Sequence, residues 1–354
     1  LIGLGFSPLA ASGLSLIANT APVAFGALGT PVITLAKVHG YDLMEVTAMI
    51  GRQLPFFSLL VPFWLIWAFA GRKGMMEIWP AILVTGLSFA IPQYLVSNFM
   101  GPELVDIIAA VVSMLSLVAF LRVWQPKKVW TSPAMRGKDS SAAEAKPPQP
   151  VVRHSREALI AAWTPWAILS VFVFVWGLPP VKAWLNSVFA PKFPIAGLHN
   201  LIMKVPPVVT TPHPEAAVYT LNLLSATGTG ILLAAVISAI VMKYKPVAIV
   251  RTFFSTAWMV RYSLLTIVLM LALGTLTRFS GTDTTLGLAF ANTGVLYPFF
   301  GTLMGWIGVA LTGSDTASNV LFGGMQKVAA EQLGLSPNLM GAANSSGGVM
   351  GKMI

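Results

Sequence analysis

The chain has 354 residues, of which 56% are hydrophobic and only 10% are charged, and its formal net charge is +10. Soluble domains carry about 25% charged residues, so this composition excludes a water-soluble fold, and it equally excludes a disordered chain, a coiled coil and a disulfide scaffold. The lack of cysteine removes thiolate metal sites and thiol catalysis. We therefore expect an all-α polytopic membrane protein.

Six apolar stretches are predicted to cross the membrane, a task that takes about 20 helical residues. In chain order they run from Gln53 to Ala70, Ile78 to Val96, Leu104 to Val123, Ala158 to Leu178, Thr229 to Met242 and Tyr262 to Thr277. The chain starts without Met and both ends lie in apolar sequence, so we expect a piece of a longer protein.

Basic residues predict the orientation of these spans. Eight of the 22 basic residues fall within residues 122–157, a segment rich in Pro, Ser and Ala that reads as a flexible loop. The positive-inside rule places this loop in the cytoplasm. It separates a first group of transmembrane helices, 1–121, from a second group, 158–354. The positive charge of the loop is explained by its contact with lipid headgroups, so we expect no nucleic-acid partner.

Small polar residues interrupt three further apolar stretches. We predict broken helices near 18–22 and near 343–348, and a re-entrant hairpin near 305–327. The unpaired N–H groups of a broken helix bind carboxylates, and its free carbonyl groups hold cations. Broken helices in corresponding positions of two halves are typical of the binding site of an inverted-repeat secondary transporter. The alternative is that the small residues only allow close helix packing.

The polar residues of these interruptions form the candidate substrate site. It consists of Asn19, Thr20, Asn344, Ser345 and Ser346, with the backbone N–H groups of Gly347 and Gly348. Further polar residues of the hairpin are Ser314, Thr316 and Asn319. Asn19–Thr20 and Asn344–Ser345 align with each other, which favours a shared role for the two breaks.

Two ionisable residues lie deep in apolar sequence. Asp315 costs at least about 2.5 kcal/mol to insert there and is by default functional; burial favours its neutral form, as a proton carrier requires. A structural ion pair is the alternative. Lys352 is placed to meet a substrate carboxylate or Asp315, unless it lies at the membrane interface. We expect Glu103 and Asp106, at the ends of spans, to reach water.

Several runs of residues carry a family resemblance. They are LIANTAPVAFG (16–26), GRQLP (51–55), SNFMGPEL (97–104), LSATGT (224–229), LTGSDT (311–316) and ANSSGGVMGKMI (343–354). In these runs the chain closely resembles the bacterial L-lactate permease family, over essentially its whole length. The family has further sequence upstream of Leu1, including a Gly-rich segment, and beyond Ile354, so the resemblance implies that part of one binding hairpin is absent here.

The resemblance implies proton-coupled uptake of L-lactate, often with D-lactate and glycolate, by a multi-pass protein of the bacterial inner membrane. The partners would be a small monocarboxylate, a proton and the lipid bilayer, with no cofactor or metal, and assembly into a homo-oligomer stays open. On this hypothesis Asp315 carries the proton and Lys352 offsets negative charge.

Three alternatives differ from this hypothesis. A sodium-coupled carboxylate carrier would use the Asn–Ser/Thr breaks as sodium ligands. A membrane-embedded enzyme would need a nucleophile with a base inside the bilayer, and the four histidines fall in predicted loops without metal-ligand spacing. A structural scaffold would not need a buried Asp315.

Overall fold

The computed structural model describes residues 8–20, 24–126, 155–209 and 211–352. Within them the chain forms fourteen α-helices and two small antiparallel sheets. The helices of the first part are α1 (Pro8–Ala18), α2 (Thr30–His39), α3 (Leu43–Glu77), α4 (Trp79–Phe99) and α5 (Val105–Val123). α3 packs along α4, and α4 packs along α5.

The second part begins with α6 (Arg156–Gly177) and α7 (Pro179–Val188), followed by four short strands, β1 (Lys192–Pro194), β2 (Met203–Lys204), β3 (His213–Pro214) and β4 (Val218–Thr220). β1 pairs with β4, and β2 pairs with β3. The remaining helices are α8 (Thr227–Val241), α9 (Pro246–Met259), α10 (Arg261–Ser280), α11 (Thr282–Ala291), α12 (Tyr297–Thr312), α13 (Asp315–Gln332) and α14 (Pro337–Gly351).

Six helical segments of the described chain are long and apolar enough to cross a membrane, which confirms the predicted all-α polytopic class. Five of them correspond to predicted spans, and the first bends at Gly71 (φ 68°), directly after the predicted end at Ala70. The span expected from Thr229 to Met242 is the apolar helix Thr227–Val241, which is shorter than the six candidate spans. The prediction was wrong for Gly294–Thr312, a candidate span that we assigned only in part, to the hairpin.

The chain is interrupted between α1 and α2. α1 ends at Ala18, and α2 begins at Thr30 after a single 3₁₀ turn, Ala27–Gly29. Leu28 and Gly29 have left-handed backbone conformations (φ 64° and 73°), which no helix continues through. The expected break near 18–22 thus begins where α1 ends, and residues 21–23 lie outside the described residues. Residues 127–154 of the expected basic loop also lie outside the described residues.

The break expected near 343–348 is not present, because α14 runs continuously from Pro337 to Gly351. Its small residues bring α14 close to α12 instead. The backbone of Asn344 packs directly on Gly305, and the α-carbon of Gly347 faces the carbonyl of Thr302. A continuous helix satisfies its own interior N–H and C=O groups, so close packing, the alternative interpretation, accounts for these residues.

Residues 305–327 form two antiparallel helices joined at Gly313 and Ser314. The left-handed Gly313 (φ 69°) ends α12, and its N–H donates to the carbonyl of Val309 at 2.7 Å. Ser314 begins α13 by accepting the N–H of Ala317 at 3.3 Å. The Ser318 hydroxyl then donates to the carbonyl of Gly305 at 3.1 Å, so the two helices lie side by side. The re-entrant position of this pair in the membrane stays a prediction.

A charged network ties the stranded segment to α10. One oxygen of Glu215 accepts from Nε of Arg278 at 2.9 Å, and Nζ of Lys204 lies 2.7 Å from the other. Arg278 also donates to the carbonyl of Val38 at 2.5 Å, which reaches the end of α2. Although burial acts to raise the pKa of Glu215, hydrogen bonds from Lys204 and Arg278 outweigh it and hold that pKa below its usual value.

Candidate functional site

A cavity of about 520 Å³ lies where five segments converge: the end of α1, the start of α2, the start of α5, the turn between α12 and α13, and the end of α14. Its lining residues are Asn19, Gly26, Thr30, Pro31, Asp106, Gly313, Ser314, Asp315, Thr316 and Lys352. This volume suits a small molecule, for which pockets of about 300–1,000 Å³ are usual. Polar and charged side chains make up most of the lining.

Asp315 is the most constrained charged residue of the lining. It begins α13 and is 2% exposed. Its Oδ2 accepts from the hydroxyl of Ser345 at 2.6 Å and from the amide of Asn319 at 3.3 Å. Its Oδ1 has no hydrogen-bond partner in the described part of the chain and lies against Gly348, where a Cβ atom would come within 2.5 Å of it. Gly348 therefore gives the carboxyl group its room.

A chain of buried amides holds Asp315 in place from behind. The amide of Asn344 donates to Oδ1 of Asn319 at 2.9 Å, and the amide of Gln326 donates to Oδ1 of Asn344 at 3.2 Å. The hydroxyl of Tyr297 completes the chain by donating to Gln326 at 2.7 Å. These side chains come from α12, α13 and α14, so the network fixes the three helices against one another and keeps Asp315 at the cavity wall.

The structure brings eight of the predicted residues together in two layers. Those that line the cavity are Asn19, Ser314, Asp315, Thr316 and Lys352. Those that form the layer behind Asp315 are Asn319, Asn344 and Ser345, each fully buried. Asn19 is exposed at the end of α1 whereas Asn344 lies inside α14, so the two asparagines do not occupy equivalent broken-helix positions.

Gly348 contacts Asp315 without lining the cavity, and the other predicted residues lie elsewhere. Thr20 is buried, and its hydroxyl donates to the carbonyl of Leu16 at 3.4 Å. Ser346 donates to Oε1 of Gln53 and, with Gly347, lines a separate cavity of about 310 Å³. The N–H groups of Gly347 and Gly348 belong to the interior of α14 and serve the helix itself, which corrects the expectation that they bind a carboxylate.

Asp106 is the charged lining residue that was not predicted from the sequence. It lies in the first turn of α5, where we expected the side chain to reach water. The structure instead covers this turn, since the backbone of Gly29 packs on Pro102. Both carboxylate oxygens of Asp106 are buried and have no hydrogen-bond partner among the described residues. The local sequence gave one indication that this side chain is buried, namely its position inside the first turn of the helix rather than before it.

The cavity carries two carboxyl groups and one ammonium group. Lys352 attracts Asp315 electrostatically, so the positive charge of Lys352 can balance a negative charge on Asp315. Buried charges without partners are costly, and Lys352 gives the lining a positive charge that could pair with a small anion.

Comparisons with known proteins agree with the motifs. A family model described as L-lactate permease matches residues 1–354. The chain is 47% identical over 367 residues to the glycolate permease GlcA of Escherichia coli strain K12, covering 100% of the chain and 65% of that protein. It is 45% identical over 363 residues to the L-lactate permease of Salmonella typhimurium, covering 100% and 64% respectively.

The L-lactate permease of Bacillus subtilis strain 168 is 43% identical over 378 residues, again with 100% of the chain and 65% of that protein covered. The chain thus spans about 65% of the length of these curated relatives. No solved structure matches the chain significantly.

Proposed function

The chain belongs to the L-lactate permease family, and on that premise we propose that it works in secondary active transport of L-lactate with protons across the bacterial inner membrane. D-lactate and glycolate are proposed as further substrates, in keeping with the glycolate permease among the relatives. The observation that carries the proposal is the polar cavity whose lining includes both Lys352 and the buried Asp315. The relatives are named permeases, and we propose transport without enzymatic chemistry.

In this proposal Lys352 binds the substrate carboxylate. A charge-assisted hydrogen bond to an ammonium group is among the stronger contacts that a small anion makes. Asn19, Ser314 and Thr316 line the same cavity and supply neutral donors and acceptors for the 2-hydroxyl group. Neutral groups bind the substrate without holding it too tightly for release.

Asp315 is proposed to carry the coupled proton. Burial favours the neutral form of Asp315, and before the substrate enters, Lys352, Ser345 and Asn319 act against burial in support of the negative form. A substrate carboxylate competes for Lys352 and leaves the buried Asp315 with a weaker counter-charge, which favours its protonation. Substrate and proton then cross together, because each makes the binding of the other more favourable.

Sodium coupling is the competing proposal from the sequence, and α14 weakens it. The expected sodium site drew side-chain and backbone oxygens from two helix breaks, and one of the two, residues 343–348, forms part of a continuous helix. Their carbonyl groups are engaged within α14. Sodium is therefore a control in the test rather than a second proposed function.

The test is uptake of labelled L-lactate by membrane vesicles from cells that express the complete gene, with an imposed pH gradient and no sodium. We expect uptake that a protonophore abolishes. Uptake that needs sodium would overturn the proton coupling, and a lack of uptake under both conditions would overturn lactate as the substrate. Competition by D-lactate and glycolate measures the breadth of the substrate class.

A further inference from the structure

Asp106 is a buried carboxyl group at the cavity that the proposed transport cycle does not use. We propose that Asp106 stays protonated throughout the cycle at neutral pH and acts as a hydrogen-bond donor to the substrate anion. This inference rests on the proposed function, since it gives Asp106 a role at the same substrate site. It makes Asp106 a substrate-binding residue that is distinct from the proton carrier Asp315.

The surroundings of the two carboxyl groups differ sharply. Asp315 receives hydrogen bonds from Ser345 and Asn319 and is attracted by Lys352. Neither oxygen of Asp106 has a hydrogen-bond partner within residues 8–20, 24–126, 155–209 and 211–352, although both oxygens are buried. A buried carboxyl group without donors or a counter-ion is more stable in its neutral form.

The elements around Asp106 supply no compensating charge. α4, which packs along α5, contains no charged residue, and neither does the turn Ala27–Gly29. Glu103, one turn before Asp106, is paired with Lys182. The other charged residues of the lining are Asp315 and Lys352, which attract each other. The dipole of α5 favours an anion in its first turn, but this effect is small beside the cost of burying an unpaired carboxylate.

Charge balance across the cycle leads to the same assignment. Before substrate enters, Lys352 balances the ionised Asp315; with substrate bound, Lys352 balances the substrate carboxylate and Asp315 holds the proton. Each state is neutral only if Asp106 is uncharged in both. An ionised Asp106 would leave one uncompensated negative charge in a buried cavity at every step, beside a negatively charged substrate.

A carboxylic acid kept neutral by its surroundings is a good hydrogen-bond donor to a developing or bound anion. Asp106 lines the cavity that Lys352 also lines, and its carboxyl group, which is covered in this structure, would turn toward the same substrate anion to donate its proton. Discrimination against substrates without a carboxylate follows, because a buried donor that is left unpaired weakens their binding.

Two substitutions separate a permanent donor from a titrating group. Asp106→Asn keeps a neutral donor of nearly the same shape, and Asp106→Leu removes the donor. Vesicle uptake of L-lactate is measured for both variants and is compared with uptake by Asp315→Asn, the variant of the proposed proton carrier. We expect Asp106→Asn to retain uptake with the wild-type dependence on the pH gradient. We expect Asp106→Leu to raise KM about tenfold or more, because it removes one hydrogen bond to a charged group.

The outcomes that overturn the inference are distinct from failure of the proposed function. Accumulation lost in Asp106→Asn while exchange persists would show that Asp106 titrates, and an unchanged KM in Asp106→Leu would show that it does not bind substrate. The absence of uptake by the wild type would instead refute the proposed function. If Asp106→Leu does not fold, the infrared spectrum of the purified wild type at neutral pH decides. The wild-type spectrum must contain a protonated-carboxyl band that is lost in the spectrum of Asp106→Asn.

Discussion

The contact between α12 and α14 offers a sharp test of the packing that positions the site. In Gly305→Ala, the new Cβ atom would lie 2.8 Å from both the carbonyl carbon and Cα of Asn344, and closer still to its carbonyl oxygen. Carbon atoms pack at about 3.5–4.0 Å, so the helices would have to separate by about 1 Å. Backbone atoms in the middle of α14 have no rotamer by which to move aside.

The expected cost of Gly305→Ala follows from two opposing effects. Overpacking a tight interface costs about 1–3 kcal/mol, and a backbone clash belongs at the upper end of this range. Replacing glycine by alanine within a helix returns about 1 kcal/mol. The net loss is about 2 kcal/mol of unfolding free energy, taken as the difference of these two effects. Separating α14 also pulls Asn344 and Ser345 away from the layer behind Asp315, so transport should slow.

The assay is thermal unfolding of the detergent-solubilised protein, expressed from its complete gene, together with vesicle uptake of L-lactate. Gly228→Ala is the matched control, because Gly228 also lies in a helix, α8, and nothing lies within 4 Å of the Cβ atom it would gain. We expect the control to unfold at or above the wild-type temperature and Gly305→Ala to unfold several degrees lower. Equal melting temperatures for the two variants would refute the packing argument.

Three further substitutions test the site and the network around it. Asp315→Asn should abolish lactate accumulation driven by a pH gradient while exchange across the membrane persists, and normal accumulation would remove Asp315 as the proton carrier. Lys352→Met should raise the KM for lactate about tenfold or more, the cost of losing a hydrogen bond from a charged group, and an unchanged KM would contradict its role. Glu215→Gln tests pH-dependent stability. Because Lys204 and Arg278 hold the pKa of Glu215 below its usual value, its charge stabilises the fold above the ordinary glutamate pKa of about 4.3, and this advantage is lost as the pH falls through the lowered pKa. The wild type should therefore melt above Glu215→Gln at neutral pH, and the difference should vanish in acid; a constant difference would argue against the ion pairs.

Long-range contacts explain why the predicted break near 343–348 is not present. The sequence around Asn344 and Gly347 is rich in small and polar residues, a pattern shared by broken helices and by closely packed ones. Only the partner surface distinguishes the two, and in the structure α12 presents Gly305 and Thr302 at the point where α14 needs small residues.

The candidate site was predicted in part for the same reason. Asp315 stood out because a single carboxyl group in an apolar stretch is costly wherever it lies. Its pairing with Ser345 and Asn319 joins α13 to α14, and the local sequence could only suggest polar residues at both places. Asp106 gave almost no signal, since a charge near the start of an apolar helix ordinarily reaches water. The inverted repeat and the orientation in the membrane stay predictions.

The sequence by itself determined the class of the protein, most of its membrane spans and the start of the first helix break, and it singled out Asp315 as a candidate site residue. These features depend on composition, hydropathy and local backbone preferences, which act over a few residues at a time. The tertiary structure decided which side chains share the cavity, that α14 is continuous, and that Asp106 is buried while Ser346 faces another cavity. Those outcomes depend on which helix surfaces meet, and residues such as Asp106 and Asp315 come to one cavity only when the whole chain packs.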